Sequence, residues 1–283
     1  MESRVLGRTG VRLSVVGFGG MVAAGMEQRD AEALVDEALE AGITYVDVAP
    51  TYGDCEERIG PALYGKRDRV FLACKTTERT KDGSRAELER SLERMKTDHF
   101  DVYQLHGVTK LEDVETIFGL NGAMETFLRA KEEGKTRFLG FSAHSEEAAL
   151  ALMDRFDFDT MLFPTNWVCW FKGNFGPRAL ERARMRNMGL LALKAMARQK
   201  WPERSQRERY PKCWYQPEDD REIASLGLRF AWTQGITACV PPGDPGMWRM
   251  AVSLADNTKP LTDEEMNFLR DRAQLLEPIF KTG

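Results

Sequence analysis

Short apolar runs alternate with longer amphipathic segments along the whole chain. The runs are of strand length, and the segments between them place apolar residues at helical spacing, as in residues 30–42. The predicted strands lie at residues 15–18, 43–47, 70–75, 101–106, 138–142, 160–163, 190–193 and 236–240. The predicted helices lie at residues 30–42, 55–65, 84–96, 122–134, 145–156, 177–189, 219–235 and 262–276.

Helix-terminating and helix-starting residues support these boundaries. Gly42, Gly65 and Gly134 follow amphipathic segments and are typical helix stops. Ser145 is a predicted N-cap, and Ser84 with Glu87 three residues later predicts a capping box.

Regular alternation of strands and helices predicts a parallel sheet, and eight units in 283 residues predict a closed (β/α)8 TIM barrel. We interpret residues 1–283 as a single domain of this type. The alternative, an open doubly wound sheet, would need a G-x-G-x-x-G fingerprint, and the early "GFGGMV" does not supply one. Two apolar stretches around residues 7–10 predict a β-hairpin before the first strand.

Composition narrows the function classes. The chain has 42% hydrophobic and 30% charged residues with a net charge of -4, which gives no basis for nucleic-acid or membrane attraction. No apolar run is long enough to span a bilayer, and the N-terminus does not read as a signal, so we expect a cytoplasmic protein. The five scattered cysteines predict neither disulfides nor a zinc site, and the three histidines disfavour a metal-dependent hydrolase.

Four polar residues stand at or just after the ends of predicted strands: Asp47, Tyr52, Lys75 and His106. Because the carboxyl ends of parallel barrel strands meet at one rim, we expect these side chains to converge. A carboxylate, a phenol, an amine and an imidazole together form a proton-donating site, which is the arrangement that a carbonyl reductase needs.

In order and spacing these residues resemble the catalytic tetrad of the aldo-keto reductase family. The five-residue step from Asp47 to Tyr52, the following Gly53 and the Glu56-to-Gly60 spacing also match the family. The resemblance implies a hairpin that closes the bottom of the barrel and a hydride supplied by a nicotinamide cofactor. It also implies that Tyr52 gives a proton to the carbonyl oxygen.

The remaining roles follow from the same chemistry. Lys75 would lower the pKa of Tyr52, Asp47 would orient Lys75, and His106 would donate a hydrogen bond to the carbonyl oxygen.

The resemblance also implies a set of cofactor-binding residues. These are Gly19, Gly20 and Met21 after the first strand, the tetrad residue Asp47, Ser142 and His144 after the fifth, Asn166 after the sixth, Lys194 after the seventh, and Gly243 and Arg249 after the eighth.

Several of these positions depart from the family pattern. Ala143 stands where the family has Asn, so His144 either replaces that Asn or caps the next helix. Leu162 stands at the place of a family Gln, with Asn166 just beyond it. Lys194 either faces the pyrophosphate or forms a surface salt bridge.

The resemblance implies NADP(H), with NAD(H) as the open alternative. Many family members bind the 2′-phosphate with a basic residue and a Ser just after the strand-eight proline, followed by an Arg on the helix. Here the segment runs Pro241-Pro242-Gly243-Asp244, and only Arg249 offers a cation. The glycine-rich turn would let backbone N–H groups approach a phosphate.

Two long, aromatic-rich segments, residues 164–177 and 199–217, are predicted to shape the substrate pocket, with packing between loops as the alternative. We therefore predict an NAD(P)H-dependent reductase of a small aldehyde or ketone, with no nucleic-acid or membrane partner and with a monomeric or weakly oligomeric state. The rival hypothesis is a cofactor-binding barrel that serves as a regulatory or partner-binding subunit.

Overall fold

The computed structural model of the chain describes residues 1–282, apart from the side chains of residues 204 and 205. Gly283, the last residue of the predicted domain, lies outside the described residues. The strands are β1 (Ser3–Val5), β2 (Arg12–Ser14), β3 (Phe18–Gly19), β4 (Tyr45–Asp47), β5 (Phe71–Thr76), β6 (Phe100–Val108), β7 (Thr136–Ala143), β8 (Thr160–Pro164), β9 (Gly189–Leu193), β10 (Ala197–Gln199), β11 (Gln216–Pro217) and β12 (Ala238–Val240).

Eleven α-helices accompany these strands in the described part of the chain. They are α1 (Gln28–Glu40), α2 (Cys55–Ala62), α3 (Lys81–Met95), α4 (Leu111–Phe118), α5 (Ala123–Glu132), α6 (Glu146–Arg155), α7 (Trp167–Phe171), α8 (Pro177–Met185), α9 (Arg221–Thr233), α10 (Pro245–Leu254) and α11 (Asp263–Ala273).

The central sheet is a closed parallel barrel. Its eight strands run in the order β3-β4-β5-β6-β7-β8-β9-β12, and each neighbouring pair is parallel. Val16 pairs with Cys239 in parallel, and the Gly17 amide donates to the Cys239 carbonyl at 2.9 Å, which joins the first strand to the last. The predicted (β/α)8 barrel is confirmed.

The N-terminal hairpin closes the amino-terminal end of the barrel. Leu6 and Leu13 are fully buried against the barrel interior. A Cβ added at Gly7 would lie 2.4 Å from the carbonyl carbon of Met188, just before β9 begins. The Arg8 guanidinium donates to the Phe158 carbonyl at 2.6 Å, just before β8. The opposite rim, at the carboxyl ends of the strands, is therefore the open one.

The structure changes one predicted helix start and adds elements. Thr80 caps α3 by accepting the Gly83 amide, so Ser84 lies inside the helix and the predicted capping box there is wrong. Glu87 instead accepts a hydrogen bond from the Thr76 hydroxyl at 2.5 Å, a contact between a helix and a barrel strand. Helices α4, α7 and α10 lie outside the eight predicted ones.

No helix in the described part of the chain combines the length and the apolar character needed to cross a bilayer.

Candidate active site

A buried ion pair joins the ends of two neighbouring barrel strands. Asp47 ends β4 and Lys75 lies near the end of β5, so adjacent parallel strands bring both side chains to one rim. The Lys75 ammonium donates to Asp47 Oδ1 and, at 3.0 Å, to the Val48 carbonyl. The Tyr45 hydroxyl donates to Asp47 Oδ2 at 2.9 Å. These contacts fix the ion pair and leave one of the three ammonium N–H groups for a further partner.

Tyr52 lies directly beside this ion pair, in the turn between β4 and α2. The Lys75 Nζ atom is 4.8 Å from the centroid of the Tyr52 ring, and the tyrosine is only 8% exposed. Burial raises the pKa of Tyr52 to about 12, although the charge of Lys75 acts to lower it. The prediction that Lys75 gives Tyr52 a lowered pKa is therefore wrong for the net value. The charge of Lys75 does lower the pKa, but burial raises it by more.

Lys75 itself stays charged. Burial disfavours its ammonium, but the negative charge of Asp47 and the hydrogen bond to it, together with a smaller contribution from Tyr52, outweigh burial and raise the pKa of Lys75. At neutral pH the site therefore holds a protonated phenol beside a permanent cation.

His106 reaches the site because β6 is irregular at its carboxyl end. The register between β6 and β7 shifts between Leu105 and Val108, where His106 and Gly107 lie. Gly107 has a φ of 59°, and its amide donates to the Ser142 side-chain hydroxyl of β7 at 2.7 Å instead of to a backbone carbonyl of that strand. Such a bulge redirects a side chain. The His106 ring meets the Tyr52 ring edge-on, with centroids 5.6 Å apart.

The His106 imidazole is neutral at physiological pH. Burial, followed by the charges of Lys75, Arg79 and Lys194, lowers its pKa to about 3. Its Nδ1 atom lies 3.4 Å from the Thr51 hydroxyl. A neutral imidazole carries one N–H, and either ring nitrogen can be the donor. The structure thus brings all four predicted tetrad residues together.

A pocket opens from the tetrad towards the ends of β3, β9 and β12. It is lined by tetrad residues Asp47 and Tyr52, by the apolar Leu162 and Leu193, and by residues of the segment before α9. Trp214 and Tyr215 belong to that segment, and the Trp214 ring lies 5.9 Å from the Tyr52 ring. Residues 212–215 of the predicted segment 199–217 therefore line this pocket, and binding of substrate there stays a prediction.

The other aromatic segment has a different place. Trp167 is fully buried, and Trp170 and Phe171 pack against Phe230 of α9. Residues 167–171 form helix α7, which also packs against α11. The prediction that residues 164–177 shape the pocket is therefore wrong for most of the aromatic side chains, which pack between helices.

Three residues predicted to bind the cofactor lie at the mouth of the pocket. Gly19, Met21 and Gly243 line the pocket. A Cβ at Gly243 would lie 2.7 Å from Met21 Cβ, and one at Gly19 would lie 2.8 Å from Val240 Cγ1. A Cβ at Gly20 would lie 3.0 Å from Cys55 Sγ, so this glycine is required by packing below the mouth. The mouth of the pocket is thus packed so closely that none of the three glycines could carry a side chain without a shift of its neighbours.

Two predicted cofactor residues, Ser142 and Asn166, are engaged in holding the rim together. The Ser142 hydroxyl accepts the Gly107 amide, as described above. Asn166 Nδ2 donates to the carbonyls of Lys194 and Ala197, and Asn166 Oδ1 accepts the amides of Val168 and Cys169. These four bonds occupy the whole amide group, so in this structure Asn166 caps α7 and has no donor left for a cofactor.

His144 does not cap the following helix. Ser145 is the N-cap of α6 and accepts the Ala148 amide at 3.2 Å, as predicted. His144 instead lies 3.4 Å, measured from Nε2, from Lys194 Nζ, and its ring is 5.2 Å from that of Phe280. Burial, together with the charge of Lys194, lowers the pKa of His144.

Lys194 is buried in the wall of the same pocket as Tyr52. The alternative of a surface salt bridge is therefore wrong. Burial lowers its pKa to about 7.

Arg249 lies on α10 in a bidentate pair with Glu37 of α1, with both N–H···O distances at 2.7 Å. Its side chain is 54% exposed and does not line the pocket. The structure does not bring Arg249 together with the other predicted site residues.

Sequence patterns did not single out several contributors. Tyr45 lies two residues before Asp47 on the same face of β4, and this alternation was the available signal for its hydrogen bond to the carboxylate. Lys212 lines the pocket and donates to the Val22 carbonyl at 3.0 Å. Phe280 comes from the end of the chain, and nothing near it in sequence indicates its contact with His144.

Within residues 1–282, no group of three or more His, Cys, Asp or Glu side chains is arranged to hold a metal ion.

Comparison with known proteins gives one consistent result. The model of the aldo/keto reductase family matches residues 15–240. Uncharacterized oxidoreductase YqkF of Bacillus subtilis (strain 168) is 37% identical over 157 residues, which is 50% of this chain and 49% of the relative. Aldo-keto reductase YhdN of the same organism is 34% identical over 166 residues, 52% of this chain and 48% of the relative. The chain thus spans about half the length of the curated relatives that it matches.

Solved structures resemble the fold over nearly the whole chain. The holo form of aldo-keto reductase AKR11C1 from Bacillus halodurans superposes with a TM-score of 0.73 at 24% identity, covering 98% of this chain and 96% of that one. An aldo/keto reductase from Klebsiella pneumoniae, in complex with NADP and acetate, gives 0.71 at 22% identity and covers 100% and 98%. At these identities the likeness concerns the fold.

Proposed function

Since this chain belongs to the aldo/keto reductase family, we propose that it reduces the carbonyl group of a small aldehyde or ketone to an alcohol with a nicotinamide cofactor. The observation that carries the proposal is the buried cluster of Asp47, Lys75 and Tyr52 with His106 beside it, at the base of a pocket. When bound, the cofactor would supply a hydride to the carbonyl carbon. The chain itself must supply a proton and hold the carbonyl oxygen.

Tyr52 is the proton donor in this proposal. Its raised pKa, about 12, keeps the phenol protonated at neutral pH, so the proton is available when negative charge develops on the carbonyl oxygen. Loss of that proton leaves a phenolate beside the Lys75 ammonium, whose charge stabilises it. Transfer of one proton to oxygen, together with the hydride on carbon, gives the alcohol.

His106 holds the carbonyl oxygen. Because its pKa is lowered to about 3, it acts as a neutral hydrogen-bond donor and does not compete with Tyr52 as an acid. Its ring stands edge-on to Tyr52, so one oxygen atom can approach both groups.

Lys75 and Asp47 act through Tyr52. The ammonium is fixed by Asp47 and by the Val48 carbonyl, so it does not have to reorganise when the phenolate forms. We assign Asp47 to orienting Lys75 and to forming part of the pocket wall.

The cofactor would lie along the mouth of the pocket. Gly19, Met21 and Gly243 would contact it through backbone, with Gly20 keeping the turn below them compact. NADP(H) is favoured by the complex of the Klebsiella pneumoniae protein with NADP, and NAD(H) remains the alternative because Arg249 is paired with Glu37.

The direct test is the oxidation of NADPH or NADH in the presence of a panel of aldehydes, with the Tyr52→Phe variant alongside. We expect turnover by the wild type and a loss of roughly 100- to 10,000-fold in kcat for the variant, since general acid catalysis contributes about that much. Cofactor affinity, measured by quenching of tryptophan fluorescence, should stay nearly constant.

Tyr64→Phe is the matched control, because Tyr64 is 84% exposed. It should turn over like the wild type. Cofactor binding without turnover of any aldehyde would support the rival function, a regulatory or partner-binding subunit. Wild-type turnover by Tyr52→Phe would remove Tyr52 as the acid.

A further inference from the structure

Lys194 is held in an unusual backbone conformation at the end of β9. Its φ is 69°, in the left-handed region that residues other than glycine seldom adopt. The Lys194 carbonyl accepts hydrogen bonds from Asn166 Nδ2 at 3.1 Å and from the Ala197 amide at 3.0 Å. The buried Asn166 amide therefore fixes the direction in which the Lys194 side chain leaves the barrel rim.

The Lys194 ammonium is surrounded by neutral groups. Its Nζ lies 3.4 Å from His144 Nε2, 5.2 Å from the centroid of the Phe280 ring and 5.9 Å from that of Tyr215. Among the described residues, no carboxylate forms an ion pair with it, and the one ionisable group that favours its charge is the Cys169 thiol. An enclosed cation without an anion is costly, which is consistent with a site completed by a ligand.

The position of Lys194 points to the substrate end of the pocket. Lys194 lines the pocket that contains Tyr52, and its charge lowers the pKa of His106. The other cation of the pocket, Lys212, belongs to the mouth, where it donates to Val22 and where its carbonyl lies 3.5 Å from a Cβ built at Gly243. The two lysines therefore have different neighbours.

We propose that Lys194, positioned by His144, binds a carboxylate of the substrate, so that the preferred substrate is an aldehyde or ketone that also carries a carboxylate. This inference rests on the proposed function and specifies its substrate class. The carboxylate would accept hydrogen bonds from the ammonium while the carbonyl oxygen faces Tyr52 and His106. Phe280 and Tyr215 exclude water from the ammonium and thereby strengthen the contact.

The first experiment compares 4-carboxybenzaldehyde with methyl 4-formylbenzoate, which differ in the charge and not in the reacting group. The wild type should prefer the carboxylate in kcat/KM, and Lys194→Met should lose roughly 10- to 100-fold on the carboxylate alone, as expected for a charge-assisted hydrogen bond. Retained turnover of the ester shows that the variant is folded. Lys200→Met removes an exposed cation elsewhere and should leave the preference unchanged.

The second experiment measures binding without turnover. Benzoate and benzamide are titrated into the enzyme with NADP⁺ present, by tryptophan fluorescence. The wild type should bind benzoate more tightly, and Lys194→Met should abolish the difference. If no aldehyde is turned over, the proposed function fails, and this binding difference still decides the carboxylate site.

Benzoate affinity should also fall as the pH rises above about 7, because Lys194 loses its proton there. Burial lowers the pKa of Lys212 at the mouth of the same pocket. For the other neighbours the shift leads away from the range in which Lys194 titrates: the pKa values of both histidines are lowered, and those of the thiol and the phenols are raised. These groups are His106, His144, Cys169, Tyr52 and Tyr215. Benzamide affinity should stay constant over this range.

Three results would overturn the inference. Equal losses by Lys194→Met on the acid and the ester would make the lysine structural. Weaker NADPH binding with an unchanged carboxylate preference would assign Lys194 to a cofactor phosphate. A wild type that binds benzoate no better than benzamide would exclude a carboxylate site.

Discussion

At the scale of single residues, Lys75 and Asp47 each compensate the buried charge of the other. Both side chains are almost fully buried, with 0% and 2% of the side chain exposed. Removing one partner of such a pair leaves an uncompensated charge in a medium of low polarity, whereas removing both charges does not. The pair is thus a requirement of folding as well as of the proposed chemistry.

Lys75→Met should therefore lower the free energy of unfolding by roughly 3–5 kcal/mol. The double variant Asp47→Asn/Lys75→Met should recover most of that loss, and both should be inactive. Urea denaturation of the three proteins measures this. A double variant that is less stable than Lys75→Met would show that the pair is not coupled as its geometry indicates.

Arg249 supplies a second prediction at this scale, on cofactor preference. Its guanidinium is paired with Glu37, so reading a 2′-phosphate requires exchange of one anion for another. Arg249→Ala should weaken NADPH binding about tenfold. This loss of affinity is near the lower end of the range for charge-assisted hydrogen bonds, because the Arg249 side chain is exposed to solvent. Glu37→Ala should strengthen NADPH binding.

NADH is the control for both variants, because it lacks the 2′-phosphate, and its affinity should not change. Equal losses for the two nucleotides would place Arg249 on the pyrophosphate or in the fold. No loss for either nucleotide would make NADH the better candidate.

At the scale of elements, the bulge at the end of β6 decides where His106 points. Gly107 leaves the ladder with a φ of 59°, and its amide is satisfied by the side chain of Ser142 on β7. The hydroxyl thus fixes the geometry of the bulge, and its role in catalysis would be to position His106.

Ser142→Ala should lower kcat because His106 is misplaced. It should also cost about 1 kcal/mol of stability, since the partly buried Gly107 N–H loses its acceptor. Ser145→Ala is the matched control: it removes the N-cap of α6, costs about 1 kcal/mol and touches no bulge. Steady-state kinetics measures the effect of each variant on kcat, and thermal unfolding measures its effect on stability. Equal kcat values for both variants would mean that the bulge holds its shape without the hydroxyl.

At the scale of the whole molecule, two partly buried imidazoles make the free energy of unfolding depend on pH. The pKa values of His106 and His144 are lowered, so the unfolded chain binds protons below pH 6.5 that the folded chain does not. The free energy of unfolding therefore falls as the pH drops through this range. Glu56 and Glu218 act in the opposite sense, because burial raises their pKa values.

Comparison with His106→Asn isolates one of these contributions. With a folded-state pKa of about 3, His106 should contribute a loss of roughly 2 kcal/mol between pH 7 and pH 5. The variant should lose less stability than the wild type over this interval by about that amount. Urea denaturation at both pH values measures it, and equal losses would mean that His106 is protonated in the folded protein at pH 5.

The sequence alone determined the barrel and the tetrad, because both can be predicted from local sequence patterns. Strand and helix periods follow from neighbouring residues, and a parallel barrel places every strand end at one rim. Asp47, Lys75 and His106 could thus be brought together without coordinates. Tyr52 comes just after the second predicted strand, so it was expected at the same rim. The family resemblance implied the same roles for the four residues as their chemistry indicates.

Only the tertiary structure decided the partners of the remaining residues, since those come from distant parts of the chain. Glu37 pairs with Arg249 across 212 residues, and Phe280 reaches Lys194 from the end of the chain. Asn166 is suited by type to hold a cofactor amide, yet the carbonyls of Lys194 and Ala197 use its donors. Burial, hydrogen-bond saturation and pKa depend on what packs around a side chain, and that is a property of the folded chain.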